Sequence, residues 1–182
     1  MTYATEQTAY EVKKENRASA AKKLQLENPH LVPVQAGVSA RIAATKNIRI
    51  ELKKAFPKFK FSVTSETFSG GDAIRVSWTD GPTVKQVEAI TGKYTAGKFN
   101  SYEDLYEYSS NAFTDAFGDA KYVTESRDYS DAFIQAVLND LKAKYITIDG
   151  VEAPTLDDYR NGRCYFNSWS REIHLALCDK GE

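Results

Sequence analysis

The sequence predicts an α+β protein: a small antiparallel sheet built on a central β-hairpin, packed on one face by several helices, with an N-terminal helical arm. Three observations carry that expectation. Two neighbouring runs alternate with period two, Phe59, Phe61 and Val63 against Lys58, Lys60, Ser62 and Thr64, then Ile74, Val76 and Trp78 against Ala73, Arg75 and Ser77. Gly70 and Gly71 lie between the runs and supply the positive backbone dihedrals that a hairpin connection uses. Segments with helical spacing flank both runs; in 130–145, Phe133, Val137 and Leu141 recur every four residues, with Ile134 and Leu138 beside them.

Taken in order, residues 5–28 read as a helix rich in Ala, Lys, Glu and Gln, with a thin apolar face of Ala9, Val12, Ala20 and Leu24. Pro29 disfavours helical backbone at Asn28 and ends it. Residues 1–35 are thus a helix and linker, and 36–182 a single α+β domain. A second helix is expected over about 38–56, with Ala44, Ile48, Leu52 and Ala55 facing inward. Lys46, Arg49 and Lys53 form a basic ridge on another side, and Pro57 closes the helix. The stretch from Glu66 to Gly71 reads as a loop longer than a tight turn. Residues 79–83 (TDGPT) stop the sheet. Thr83 and Gln86 then have capping-box spacing, with Val84, Val87 and Ile90 as the first buried positions. Residues 100–113 suggest a helix capped by Ser101, and 120–126 a third strand. Residues 154–162 suggest a short helix or turn, with Asp157 and Asp158 favouring a helix N-terminus. A last strand is expected through Ile173, Leu175 and Leu177.

A chain of 182 residues, 42% hydrophobic and 27% charged, has the composition of one soluble globular domain. It has no apolar run approaching a membrane span and no signal-like start, so a cytoplasmic protein with no membrane partner is expected. Cys164 and Cys178 are too few for a disulfide framework and read as reduced packing residues. The net charge of −1 hides an asymmetry: residues 1–60 carry twelve Lys/Arg against five Asp/Glu, and residues 101–160 five against thirteen. Such polarity bears on partners rather than on fold.

No residue pattern points to catalysis, a metal or a cofactor. His30 and His174 lack a second ligand at metal spacing, and Cys164 and His174 sit near no nucleophile motif. Residues 69–72 (SGGD) lack the Lys-Ser/Thr of a phosphate loop. A non-enzymatic protein is expected, an unrecognised enzyme being the third reading. The leading reading is a basic surface that contacts a DNA or RNA backbone through Lys46, Arg49, Lys53, Lys58, Lys60 and Arg75. Ser62, Thr64, Ser77 and Thr79 stand beside them, and Phe68 is a candidate stacking residue. The plain alternative is that half-exposed sheets carry such residues because they face water. The competing reading is a protein-binding modulator using the first helix or the acidic segment around Tyr102, Glu103, Asp104, Tyr106, Glu107 and Tyr108, whose Tyr102, Glu103, Tyr106 and Glu107 would meet a basic surface. Ordinary packing is the plain alternative for those tyrosines.

The run from Lys46 to Tyr94 also carries a resemblance. Its ELKKAFP helix end, FSVTS, SGG loop and VSWTDGPT, followed by KFNSYEDLYEY and the weaker AKYVTES and YSDAF, resemble a large polyvalent protein-associated domain over about residues 45–145. Such domains are catalogued in giant multidomain proteins of phages and plasmids. The resemblance implies a mobile-element origin and a setting in which invading DNA is protected or established in a host. Host defence or replication proteins are then the expected protein partners, and the host cytoplasm the expected location. It implies no catalytic residue.

Overall fold

In the computed structural model the described residues are 2–100, 102–103, 105–109, 111–164 and 168–181, with 2–10 and 98–100 described by backbone alone. The chain forms two compact units, residues 1–76 with 87–125, and residues 77–86 with 126–182. The α+β class expected from the sequence is the one found.

In the first unit, α1 (Thr2–Glu27) packs against α4 (Ala112–Phe117). The docking face is Arg17, Ala21, Leu24 and Gln25, while Val12 and Ala20 are exposed and Ala9 lies outside the described side chains. Arg17 fastens the two helices by donating from Nε and Nη2 to the Asp115 carboxylate. Helix α2 (Ala40–Ala55) buries Ala43, Ala44, Ile48 and Leu52, packs on β1 and α4, and also buries a polar residue, Asn47. The Asn47 amide donates to the Val32 and Phe117 carbonyls (2.8 and 2.9 Å) and accepts from the Val32 N–H (2.7 Å), so the linker after α1 and the end of α4 are tied to α2. Gly118, at φ +87, ends α4 where a Cβ would fall 2.1 Å from the Ala40 carbonyl oxygen; only glycine fits that approach.

Strands β1 (Phe61–Phe68) and β2 (Gly71–Thr79) form the expected hairpin. Its alternation holds at most positions: Val63, Ile74, Val76 and Trp78 are buried and Phe61 half-buried, while Lys60, Ser62, Thr64 and Arg75 are exposed; Ala73, expected on the outer side, is buried, and Ser77 is half-buried. The connection is shorter than expected, because β1 runs on to Phe68 and leaves only residues 69 and 70 between the strands. Gly71 carries φ +141 there. The third strand, β5 (Tyr122–Asp128), is the one expected at 120–126, but it corrects the antiparallel reading. The Lys121 N–H donates to the Asp72 carboxylate at the strand starts (2.8 Å), and the Asp80 N–H to the Asp128 carbonyl at the strand ends (2.9 Å). Thus β5 runs parallel to β2, as the long intervening crossover allows.

The segment expected as a helix at 100–113 is instead an antiparallel hairpin, β3 (Gly97–Asn100) with β4 (Leu105–Tyr108), followed by α4. Asn111, not Ser101, caps α4, accepting from the Phe113 and Thr114 N–H groups; Ser101 lies outside the described residues. Tyrosine-rich alternation suits a strand better than a helix, and that preference wins over the run of acids after Ser101. Helix α3 (Val84–Thr91) carries the expected capping box: the Thr83 N–H donates to the Gln86 side chain (2.8 Å) and the Gln86 N–H to the Thr83 hydroxyl (3.3 Å), although Val84 is exposed. A 3₁₀ turn over Gly92–Tyr94 follows. There the fully buried Tyr94 donates its hydroxyl to Glu51 (2.6 Å).

The second unit is mainly helical. Helix α5 (Asp131–Lys144) is the amphipathic segment expected over 130–145, and its Phe133, Ile134, Val137, Leu138 and Leu141 are buried as expected. They share a core with Cys164, Trp169, Ile173 and Leu177. Helix α6 (Leu156–Arg160) starts at a Thr155–Asp158 capping box, in line with the acids expected at its N-terminus. A two-residue hairpin, β6 (Thr147–Ile148) with β7 (Val151–Glu152), turns on Asp149 and Gly150, both at positive φ. The expected last strand is helix α7 (Trp169–Asp179): Ile173 and Leu177 are buried one turn apart over Trp169, while Leu175 is exposed. Three apolar residues spaced by two match a strand, but Trp169 extends the pattern at helical spacing and fixes the outcome.

Within this unit, residues 79–83 earn their unusual composition. Asp80 and Gly81 take φ of +56 and +67, and the Trp78 indole donates to the Pro82 carbonyl (2.9 Å). The buried Arg127 donates to the carbonyls of Asp80 (3.1 Å), Gly81 (2.8 Å), Leu177 (3.1 Å) and Lys180 (2.9 Å). The Asp80 carboxylate accepts from the Ser130 N–H (2.8 Å), at the N-cap of α5.

Candidate functional site

The first unit carries a cleft at the turn end of the β1–β2 hairpin. Four rings from three strands meet beside it. Phe68 at the end of β1 stacks on Tyr122 of β5 (centroids 6.2 Å apart), Tyr122 meets Tyr106 edge-on (5.6 Å), and Tyr106 meets Tyr108 (4.8 Å). Pairing of β3 with β4 puts Tyr108 opposite Gly97, and an added Cβ at Gly97 would lie 2.0 Å from the Glu107 carbonyl oxygen. Phe68 and Tyr108 remain 44% and 68% exposed, so each offers much of its ring to solvent as well as packing on its neighbour. Lys121 places its Nζ 5.2 and 5.3 Å from the Tyr106 and Tyr122 centroids while donating to the Gly70 carbonyl (2.7 Å). Tyr106 donates its hydroxyl to the Lys121 carbonyl. Burial first, then the neighbouring Tyr108, Tyr122 and Asp119, push the Tyr106 phenol up to about 12, so it stays protonated as a donor.

The cleft itself is lined by Phe68, Asp72, Tyr108, Asp119 and Lys121, among others. Asp72 is engaged, accepting the Lys121 N–H and facing the Arg41 guanidinium at 3.8 Å. Asp119 is half-buried and has neither a hydrogen bond nor an ion pair among the described residues. Burial, followed by the charges of Asp72 and Asp115, raises its carboxyl above the usual range, and Arg17 opposes the shift. A carboxyl raised on folding contributes stability that is fully present below its unfolded pKa and lost as pH rises through its folded one. Asp119→Asn is therefore expected to be more stable than the parent at neutral pH. Urea midpoints should show that advantage vanishing once the pH is lowered through the carboxylate range.

The residues expected from the sequence fall into two groups. Lys46, Lys53, Lys58 and Lys60 are exposed and have no carboxylate within ion-pair distance among the described residues. Arg49 donates to the Val63 carbonyl of β1, and Arg75 forms an ion pair with Glu66 across the hairpin. In the second group, Tyr102 is fully exposed, Glu103 and Glu107 are exposed, and Tyr106 is half-buried in the ring cluster. Asp104 lies outside the described residues. Phe68, singled out for stacking, joins this second group in space. Sequence reasoning missed Tyr122, Lys121 and Asp119. Lys121 and Tyr122 fall within the strand expected at 120–126 and so had a signal; Asp119 had none, because only the fold buries it. Cys178 and His174 are neighbours on α7 (3.7 Å), whereas Cys164 belongs to the core.

A family model described as Large polyvalent protein associated domain 29 matches residues 40–130, half of the chain. The chain belongs to that family. The matched stretch runs from α2 through β5 and contains the whole cleft, the four lysines and the β3–β4 hairpin. No curated protein and no solved structure matches the chain. Among the described residues, no helix is long and apolar enough to cross a membrane.

Proposed function

We propose that this family domain is a non-enzymatic binding module of a phage or plasmid, acting in the host cytoplasm, whose cleft takes a basic side chain from a host defence or replication protein. One observation carries the reading: a half-buried carboxylate, Asp119, with no hydrogen bond or ion pair among the described residues, lines the cleft together with the exposed aromatic residues Phe68 and Tyr108. An Arg or Lys entering there would gain a counter-charge and ring faces together. The chain's own Lys121, seated over Tyr106 and Tyr122, is an internal example of an ammonium held by this cluster. Exposed Tyr and Phe are also the residue types that anchor protein interfaces. Binding of a labelled Arg-rich peptide to the full chain tests this. Asp119→Asn and Phe68→Ala should each weaken it about fivefold or more, while Glu103→Gln at the hairpin tip leaves it nearly unchanged. Equal loss from all three variants would reduce the cleft to diffuse acidic attraction.

A second reading rests on a separate observation: Lys46, Lys53, Lys58 and Lys60 are exposed and have no ion pair among the described residues. They offer a site for a nucleic-acid backbone, with Arg49 and Arg75 beside them. Labelled DNA titrated at low and high salt should then show a steep salt dependence that charge reversal at Lys53 and Lys60 flattens.

A further inference from the structure

The second unit holds a cavity of about 360 Å³, within the size range of small-ligand sites. Arg127, Tyr129, Tyr159, Ser170 and His174 supply its polar lining, Cys164 and Ile173 belong to its apolar lining, and among the described residues no carboxylate lines it. Arg127 is 8% exposed. Its four hydrogen bonds go to neutral carbonyls, and among the described residues no carboxylate lies within ion-pair distance. Two of those carbonyls, Leu177 and Lys180, belong to the C-terminal end of α7, whose partial negative charge offsets the guanidinium only in part. A guanidinium has five N–H donors, so one remains. Ser170 and His174 lie one turn apart on α7, and the half-buried Ser170 hydroxyl has no hydrogen-bond partner among the described residues.

A buried cation without a counter-ion, beside an unused hydroxyl and an apolar wall, is complementary to an anion with a hydrocarbon body. We propose that this cavity binds a small amphipathic organic carboxylate. The carboxylate takes the free Arg127 N–H and the Ser170 hydroxyl, and the hydrocarbon lies against Cys164 and Ile173. This site is independent of the aromatic cleft, all of whose residues lie in the other unit.

The test uses the full chain and three probes sharing one alkyl body: octanoate, octanol and octyl phosphate. Calorimetry should show octanoate binding about tenfold or more tightly than octanol, the margin expected of charge-assisted hydrogen bonds. Octyl phosphate separates a carboxylate site from a general anion site; binding tighter than octanoate overturns the carboxylate assignment. Arg127 variants are unsuited because they remove a structural anchor. Ser170→Tyr, at a half-buried position, fills the mouth and should abolish octanoate binding while the circular dichroism spectrum stays that of the parent. If Ser170→Tyr loses the fold, Ser170→Ala replaces it, with a loss of about threefold or more. Amide shifts on octanoate addition should centre on Ser170 and His174. Equal affinity for octanoate and octanol, retained binding in the folded Ser170 variant, or shifts centred elsewhere would each overturn the proposal, as would no binding.

Discussion

Arg127→Met is expected to destabilise the protein by at least about 3 kcal/mol, read as a drop in the urea midpoint. The loss has a specific source. Four carbonyl acceptors, on Asp80, Gly81, Leu177 and Lys180, lose a charged donor at once, and each buried acceptor left bare costs roughly 1–3 kcal/mol. Methionine replaces the apolar stem but none of the donors. Arg127→Lys should recover little, since an ammonium offers three donors without the planar fork that spans four carbonyls. A domain of this size holds only about 5–15 kcal/mol in total, so the variant should show a clearly lowered melting temperature. A midpoint equal to that of the parent would mean water serves those carbonyls as well as the guanidinium does.

Asn47→Ala is expected to cost roughly 3 kcal/mol, the second large effect. The side chain is fully buried and makes three hydrogen bonds to backbone groups that precede α2 and end α4. Truncation leaves the buried Phe117 carbonyl and the part-buried Val32 N–H and carbonyl without this partner, and adds a small cavity. Asn47→Leu fills the cavity but satisfies no backbone group, so most of the loss should persist in chemical denaturation. Recovery of parental stability by leucine would show that volume, not hydrogen bonding, is what position 47 supplies.

What the sequence made legible follows from range of interaction. Helix α5 and the β1–β2 hairpin were readable because their buried positions repeat within a few residues, and the Thr83–Gln86 cap because both partners lie in one turn. Helix α7 was misread because Ile173, Leu175 and Leu177 fit a strand until Trp169 is included. The β3–β4 hairpin was misread because Ser101 and the acids after it resemble a helix start, while the tyrosines behind them pair across strands. The Asp149-Gly150 pair was a usable hairpin signal for β6–β7. For the cleft, Phe68, Tyr106 and Tyr108 were visible as residues worth attention, but their meeting with Tyr122 depends on β5 crossing back beside β2. Asp119 and Arg127 were silent, since nothing local distinguishes a solvated charge from one that the fold will enclose.

The placement of Arg127 has a practical corollary for anyone trimming this protein to its family match. The stretch ending at residue 130 keeps the guanidinium yet discards two of the groups it grips, those contributed by Leu177 and Lys180. A fragment cut there would carry an orphaned cation on its terminal strand and, lacking α5 and α7, nothing to shelter it. Expression of the shared segment alone should therefore yield a sticky, poorly behaved product, and the whole chain is the sensible unit to handle.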